Sequence, residues 1–315
     1  NSSGTSEMPV TFAPEAVPAR FPRKLRELHG AHFDSTVWND LAFRGDDVVV
    51  AGYAGSGTGW VQQIVAQLVF NGDPEVSIAD ISPWVDLRVG PVLARLAMLE
   101  AQTHRRILKT HLPVDALRFS RQARYIHVAR DGRDVAWSLH NRHLHAADAW
   151  YAMLNDTPGR VGPPVPRANP DIAEYFREWL GGDGAPFWPF WENVRSWWAV
   201  RGLPNVHLVH FEALKRDMAG EIRRIADFLE IEVDPPSWPR ILRHCGFDWM
   251  KANAPQVAPL GGALWEGGAE TLINKGTNGR WRDVLTARDA ADYEAAALAA
   301  LDPEGATWLA GGAAA

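Results

Sequence analysis

Four short apolar runs rich in β-branched residues alternate with longer segments of helical periodicity along this chain. The runs lie at residues 48–51, 106–113, 124–130 and 205–211. Runs of this length, bounded by glycine, proline or charged residues, are typical of buried strands in a parallel sheet. Helical periodicity covers residues 61–69, 91–102, 135–143, 171–180, 191–201, 214–230, 238–245 and 287–301. The alternation predicts an α/β fold in which a central parallel sheet is flanked by helices.

The same alternation runs through the whole length of 315 residues, so we expect a single domain over residues 1–315. Prolines spaced through residues 1–30 predict an irregular approach to the first strand. The glycine- and alanine-rich end, from about residue 305 to 315, is expected to fray.

The segment between the first strand and the first helix is rich in glycine, at Gly52, Gly55, Gly57 and Gly59. Glycines allow the backbone to turn tightly and to approach a ligand without Cβ clashes. The start of the following helix adds free N–H groups and the positive end of the helix dipole. This P-loop-like unit predicts a binding site for phosphate or sulfate, and the alternative is a tight turn that binds nothing.

The loop differs from the Walker A motif of ATPases and GTPases. Gly52 and Gly57 match the two glycines of that motif, but Thr58 stands at the lysine position. Gly59 stands at the position of the hydroxyl that binds magnesium. A P-loop kinase is therefore the least favoured hypothesis.

Polar side chains follow two of the other predicted strands. Lys109 and His111 close the second strand, where His111 is a candidate general base. Arg130 follows the third strand and Ser138 lies on the next helix, so the two side chains could grip a phosphate. The alternatives are a structural histidine and a surface pair between an arginine and an aspartate.

The composition excludes several classes of protein. A formal net charge of −6 argues against a nucleic-acid partner and against an anionic membrane surface. No apolar segment reaches membrane-spanning length, and the polar start is not expected to be a signal peptide. The single cysteine, Cys245, excludes an intramolecular disulfide and fits a cytoplasmic protein. The scattered histidines predict no metal site, and no pattern indicates an oligomeric state.

Six separated segments resemble the cytosolic-type sulfotransferases that use phosphoadenosine phosphosulfate (PAPS). The first three segments are residues 53–60, which correspond to the family's Y-P-K-S-G-T-T-W, residues 109–113, which correspond to K-T-H-L-P, and residues 128–138, which correspond to V-x-R-x-x-x-D-V-x-x-S. The last three are residues 211–213, which correspond to Y-E-D, residues 247–253, which correspond to F-x-x-M-K-x-N, and residues 274–281, which correspond to R-K-G-x-x-G-x-W. The matches run in the same order as in the family. Together they cover residues 40 to 290, and six motifs in register are a specific signal although each alone is weak.

The resemblance implies a role for each matched residue. Gly55, Ser56, Gly57, Thr58, Gly59 and Trp60 would form the phosphosulfate loop, with Trp60 against the adenine. The 3′-phosphate would be held by Arg130 and Ser138, with Lys275 and Gly276 completing the grip, and Asn274 would be a further cofactor-binding position. Phe211, Cys245 and Phe247 would lie beside the adenine. His111 would take the proton from an acceptor hydroxyl, while Lys109 would steady the transferred sulfuryl group without a metal ion.

Three departures from the family pattern bear on catalysis. Gly55 stands where the family has the loop lysine, Gly59 stands where it has a threonine, and Asn274 stands where it has an arginine. Losing one cation beside a developing charge would lower the rate by roughly two to three powers of ten. The sequence therefore predicts either a sulfotransferase of impaired rate or a non-catalytic protein that binds PAPS or its product PAP.

The acceptor is expected to be a small molecule with a hydroxyl group. A phenol is favoured because the chain carries 15 tryptophans, which suggest an aromatic wall. From their positions in the sequence, the residues expected to line the acceptor pocket are Phe33, Trp84, Trp137 and His140.

Overall fold

A computed structural model of the chain describes residues 20–273 and 276–312. Within this part of the chain, one sheet contains β1 (Val48–Ala51), β2 (Ile107–Thr110), β3 (Arg124–Ala129) and β4 (Val206–His210). The strand order is β2-β1-β3-β4, and every neighbouring pair is parallel. The predicted α/β fold with a central parallel sheet is confirmed.

Helices cover both faces of this sheet. They are α1 (Thr58–Val69), α2 (Ile78–Ile81), α3 (Val92–Ala101), α4 (Gly132–Leu144), α5 (Asp148–Asp156), α6 (Ile172–Gly181), α7 (Phe190–Ala199), α8 (Phe211–Arg216), α9 (Met218–Phe228), α10 (Trp238–His244), α11 (Phe247–Ala252), α12 (Ala254–Val257), α13 (Ala269–Leu272), α14 (Ala287–Ala300) and α15 (Pro303–Gly311). Short 3-10 helices lie at Ser35–Asp40, Val114–Ala116, Pro235–Ser237 and Pro259–Gly262. None of the helices in the described residues is both long enough and apolar enough to cross a membrane.

The strands are buried on both faces, as their continuous apolar sequences predict. Val48 and Val50 point into a core cluster shared with α1, α9 and α10. Val49 and Ala51 point into the opposite cluster, which contains Trp179, Trp197 and Phe190. Alternation of side chains along a strand produces this division, so the sheet separates two cores.

The single helix predicted over residues 214–230 is wrong, because the chain forms two helices there. Asp217 breaks the helix with φ −146° and ψ 68°, and its side chain accepts a hydrogen bond from the N–H of Gly220. An aspartate offers the backbone this local alternative to helix, and it caps α9.

The tail expected to fray from about residue 305 is instead helical, as α15 (Pro303–Gly311). Trp308 and Leu309 are buried, and the Trp308 ring stacks on Trp198 with 5.0 Å between centroids. Asp302 caps the helix by accepting from the N–H of Gly305. Packing of one large aromatic residue therefore outweighs the surrounding alanines and glycines.

Candidate active site

All four strands end at the same edge of the sheet, and each is followed by a residue expected to contact the ligand. The glycine loop follows β1, His111 follows β2, Arg130 follows β3 and Phe211 follows β4. The chain runs from β1 outward to β2 and then returns to the other side of β1 with β3. Ligands of open α/β sheets bind at such a switch point, outside the carboxyl ends of the strands.

The glycine loop packs closely against the end of β3, so there is little space for side chains at its glycine positions. Gly55 and Gly57 adopt φ values of +81° and +105°, a region that favours glycine. A Cβ atom on Gly57 would lie 2.8 Å from Cδ2 of Phe211, and one on Gly52 would lie 2.7 Å from the Val128 carbonyl oxygen. The loop geometry thus requires glycine at these positions. Ser56 is buried within the turn, where its N–H donates to the Tyr53 carbonyl at 3.1 Å.

Arg130 is fixed by hydrogen bonds on both sides of its guanidinium. Its Nη1 donates to the Gly55 carbonyl at 3.1 Å, and its Nε donates to Oδ1 of Asn278 at 2.9 Å. The guanidinium also lies over the Phe211 ring, 3.9 Å from its centroid. Burial lowers the pKa of Arg130 to about 10, so the side chain remains a cation at neutral pH. Arg130 therefore joins the glycine loop to the loop after residue 275.

Three aromatic side chains line the neighbouring part of the cavity. They are Trp60, Phe211 and Phe247. The Trp60 ring meets Phe211 edge to face at 5.4 Å, and its Nε1 donates to the Cys245 carbonyl at 2.9 Å. Phe247 closes on Gly276, where a Cβ atom would lie 3.0 Å from the ring. A flat heterocycle such as adenine suits these faces.

The position predicted for Cys245 beside the adenine is wrong. Its side chain is fully buried in the core cluster beneath α1, and burial raises the pKa of the thiol. Only its backbone carbonyl reaches the aromatic group, through Trp60. Cys245 follows the last residue of α10, and helix packing directs the side chain inward.

His111 is held in one orientation and one tautomer. Its Nδ1–H donates to the Gly52 carbonyl at 2.6 Å, which leaves Nε2 as the basic nitrogen. The ring also meets Trp84 edge to face at 4.6 Å, and Trp84 Nε1 donates to Asp86 at 2.8 Å. Burial, followed by the charge of Lys109, holds the pKa of His111 well below its usual value. The imidazole is therefore neutral at physiological pH, with Nε2 unprotonated.

Lys109 lies beside His111 as a buried amine. Its side chain lines the same cavity, and its Nζ atom lies 5.8 Å from the centroid of the Trp84 ring. Burial, aided by the charge of Arg142, lowers its pKa to about 7. The amine can thus be neutral or charged near physiological pH, and a bound anion would favour the charged form.

These side chains surround one cavity of about 750 Å³. Of the residues predicted to bind the cofactor, the cavity is lined by Gly55, Gly57, Thr58, Gly59, Trp60, Arg130, Ser138, Phe211, Phe247 and Gly276. Asn274 and Lys275 lie outside the described residues. The described part of the chain contains no group of His, Cys, Asp and Glu side chains that could hold a metal ion.

The prediction of the acceptor pocket is mostly wrong. Trp84 lines the cavity, but Phe33, Trp137 and His140 do not. Trp137 and His140 face α6, where they contact Phe176 and Tyr175. Phe33 is buried behind the cavity against Trp188.

Sequence reasoning missed most of the residues that do line this end of the cavity. They include His32, Leu87, Val89, Leu139, Arg142, Trp150, Met153, Leu154, Phe187, Trp188, Leu264 and Trp265. One signal was available: Ser138 is predicted to bind the cofactor, and residue 142, one turn later, shares its side of an α-helix. The remaining residues come from elements that are distant in sequence, and only the folded chain brings them together.

Comparison with known proteins relates the chain to one family. The profile of the sulfotransferase domain family matches residues 45–302. The chain is 30% identical to the glycolipid sulfotransferase of Mycobacterium bovis over 80% of this chain and 84% of that protein. It is 29% identical to mouse sulfotransferase 1B1 over 79% of this chain and 80% of that protein.

Solved structures share the fold. The crystal structure of mouse sulfotransferase SULT7A1 complexed with PAP superimposes with a TM-score of 0.64, at 20% identity, over 86% of this chain and 91% of that one. Retinol dehydratase in complex with androsterone and PAP superimposes with a TM-score of 0.65, at 23% identity, over 85% and 84%. At these identities the likeness establishes the fold, which agrees with the parallel sheet described above.

Proposed function

The chain belongs to the sulfotransferase domain family and is a sulfotransferase, and we propose that it moves a sulfuryl group from PAPS to a hydroxyl of a small apolar acceptor. One observation carries the proposal: a neutral, oriented imidazole lines the same cavity as Lys109 and as Arg130, a cation held by hydrogen bonds. Solved relatives of the same fold contain PAP, the product that PAPS leaves behind.

The nucleotide would occupy the side of the cavity nearest the glycine loop. Trp60 and Phe247 would enclose the adenine, while Arg130 and Ser138 would hold the 3′-phosphate. Gly276 would complete that grip with Asn274 and Lys275, which lie outside the described residues. The first turn of α1, at Thr58 and Gly59, would offer backbone N–H groups to the 5′-phosphosulfate together with Gly55, Ser56 and Gly57.

The acceptor would occupy the aromatic side of the cavity. His111 Nε2 takes the hydroxyl proton as the acceptor oxygen attacks sulfur, and a new S–O bond forms. The bond from sulfur to the bridging phosphate oxygen breaks, and that oxygen leaves with its electron pair as part of PAP. Lys109 neutralises the sulfuryl oxygens during the transfer. Trp84, Trp150, Leu154 and Trp188 give this side an apolar wall, so we propose a phenol or another alcohol on an apolar body.

The absence of a loop lysine favours a second candidate, a non-catalytic protein that binds PAP or PAPS. Binding and transfer are therefore measured separately. Calorimetry without magnesium measures the affinity for PAP, with ATP as a comparison ligand. Transfer from PAPS to 2-naphthol measures catalysis.

We expect Arg130→Ala to weaken PAP binding by about 10- to 150-fold, since a hydrogen bond to a charged group contributes about 1.5–3 kcal/mol. His111→Ala should leave PAP binding intact and lower transfer at least a hundredfold. Arg167→Ala and His29→Ala, which remove exposed side chains outside the cavity, are the matched controls. Unchanged PAP affinity in Arg130→Ala would contradict the phosphate assignment, and PAP binding without any transfer by the wild type would favour the second candidate.

A further inference from the structure

Arg142 is a cation of the cavity that the six family-like motifs do not account for. It lies in the last turn of α4 and lines the cavity together with Lys109, His111 and Arg130. Its Nε atom is buried without a hydrogen-bond partner, and the guanidinium forms no ion pair within residues 20–273 and 276–312. Burial lowers its pKa to about 10, and no carboxylate opposes this change. The guanidinium is therefore a charged group that lacks an anion.

Its location follows from the geometry of α4. Arg142 lies one turn after Ser138, on the same face of the helix. Long helical side chains lean toward the helix N-terminus, which brings the guanidinium over the turn that contains Ser138. Gly55 lies against that turn, because a Cβ atom there would be 3.4 Å from Ser138 Oγ. Arg142 and Gly55 line the same cavity, which agrees with this direction.

The electrostatic effects of Arg142 agree with this location. Its positive charge lowers the pKa of Lys109, of His111 and of Arg130. Arg280 is another arginine of the cavity, and of these three pKa values its charge lowers that of Arg130. The charge of Arg142 therefore acts on residues of both the proposed sulfuryl site and the proposed 3′-phosphate site, and all of them line one cavity.

The glycine loop, which lines the same cavity, supplies no charge of its own. Residues 52–57 are Gly, Tyr, Ala, Gly, Ser and Gly. The positive φ of Gly55 also disfavours any longer side chain at that position. A charge for the phosphosulfate must therefore come from another element, and α4 offers one at Arg142.

We propose that Arg142 binds the phosphosulfate of the donor and neutralises the charge that develops on the leaving phosphate oxygen. This inference rests on the proposed function. When the bond between sulfur and the bridging oxygen breaks, the electron pair stays on that oxygen, and the guanidinium offers it two N–H donors in a fixed plane. Arg142 then acts as the cation that the glycine loop lacks.

The competing role for Arg142 is to bind an acid group on the acceptor. Two readouts separate the roles. The first is the affinity for PAPS relative to PAP, measured by calorimetry without acceptor. The second is kcat and KM with 2-naphthol, which is uncharged, and with 6-hydroxy-2-naphthoate, which carries a carboxylate. The variants are Arg142→Gln and Arg142→Lys, with Arg280→Gln as a matched arginine of the same cavity, and thermal melting checks that each is folded.

We expect Arg142→Gln to weaken PAPS binding about tenfold more than PAP binding and to lower kcat with 2-naphthol about a hundredfold. Arg142→Lys should recover most of both losses, whereas Arg280→Gln should weaken PAP and PAPS alike. Unchanged PAPS affinity and unchanged kcat with 2-naphthol in a folded Arg142→Gln variant would overturn the inference. A rise in KM confined to the carboxylate acceptor would assign Arg142 to the acceptor instead. A wild type that binds PAPS without transfer refutes the proposed reaction, while the ratio of PAPS to PAP affinity still tests Arg142.

Discussion

Binding of PAP should draw a proton from solvent onto Lys109. The pKa of this buried amine is about 7, so about one tenth of free protein carries the charge at pH 8. The phosphates of PAP would restore the charged form, because an anion close to an amine raises its pKa. Lys109 should then take up about 0.9 proton per site when PAP binds at pH 8, and only about 0.1 when PAP binds at pH 6.

The same reasoning fixes the direction of the pH dependence. Above pH 7 each unit should weaken PAP binding up to about tenfold, because the free protein must first gain a proton. Arg142 stays charged in this range, since its pKa is about 10. The other titratable neighbours of Lys109 are Asp86 and His111. Burial raises the pKa of Asp86 and lowers the pKa of His111. The 3′- and 5′-phosphates of PAP, each with a second pKa near 6, are almost fully ionised at pH 8, so the uptake at that pH reports Lys109.

Calorimetry in two buffers of different ionisation enthalpy measures the number of protons taken up. Lys109→Met removes the amine and keeps the length of the side chain, so proton uptake at pH 8 should disappear. The His111→Ala variant should retain it. Equal uptake by wild type and Lys109→Met would refute the assignment and would point to His111 as the group that gains the proton.

Two further substitutions test the loop and the core. Gly57→Ala should destabilise the protein by about 1–3 kcal/mol and weaken PAP binding, because Gly57 has φ +105° and an added Cβ would lie 2.8 Å from the Phe211 ring. Gly59→Ala, where the nearest atom is 4.0 Å away, should leave stability in urea unchanged or slightly raised, and equal losses in both variants would contradict this reasoning. His127→Phe should stabilise the protein by about 1 kcal/mol at pH 7, since the buried ring stacks on Trp197 and neither nitrogen has a partner in the described residues. Burial lowers the pKa of His127 to about 3, so its contribution to stability is complete above pH 6.5 and is lost as the pH falls toward 3. The gain from His127→Phe should therefore grow at pH 5, and a smaller gain there would refute it.

The sheet could be predicted from sequence because each strand is a short apolar run with a charged or glycine-rich boundary. Val48–Ala51 is buried on both faces, so its sequence needs no alternation and stands out as a continuous run. Since parallel strands end at one edge, the residues after each run could also be grouped. His111 and Arg130 were found in this way.

Helix boundaries were harder to predict where a side chain competes with the backbone. Asp217 lies inside a periodic segment that reads as one helix, but its carboxylate caps a second helix. Around Trp308 the error is the opposite one, because a helix forms where the composition predicts a frayed end. The packing of Trp308 against Trp198 stabilises this helix. Neither a capping hydrogen bond nor a packing partner distant in sequence can be predicted from periodicity and composition.

The face of α4 explains both the failed acceptor prediction and the inference about Arg142. The turn of a helix separates residues 138, 139 and 142 from residues 137 and 140, and only the first set lines the cavity. Trp137 and His140 are expected in the acceptor pocket from their positions in the sequence, but both lie on the side of α4 that faces α6. The same phase places Arg142 in the cavity. Arg142 therefore adds a charge to the wall of the cavity where an aromatic contact is expected from the sequence, and a cavity that contains this charge selects for an anion.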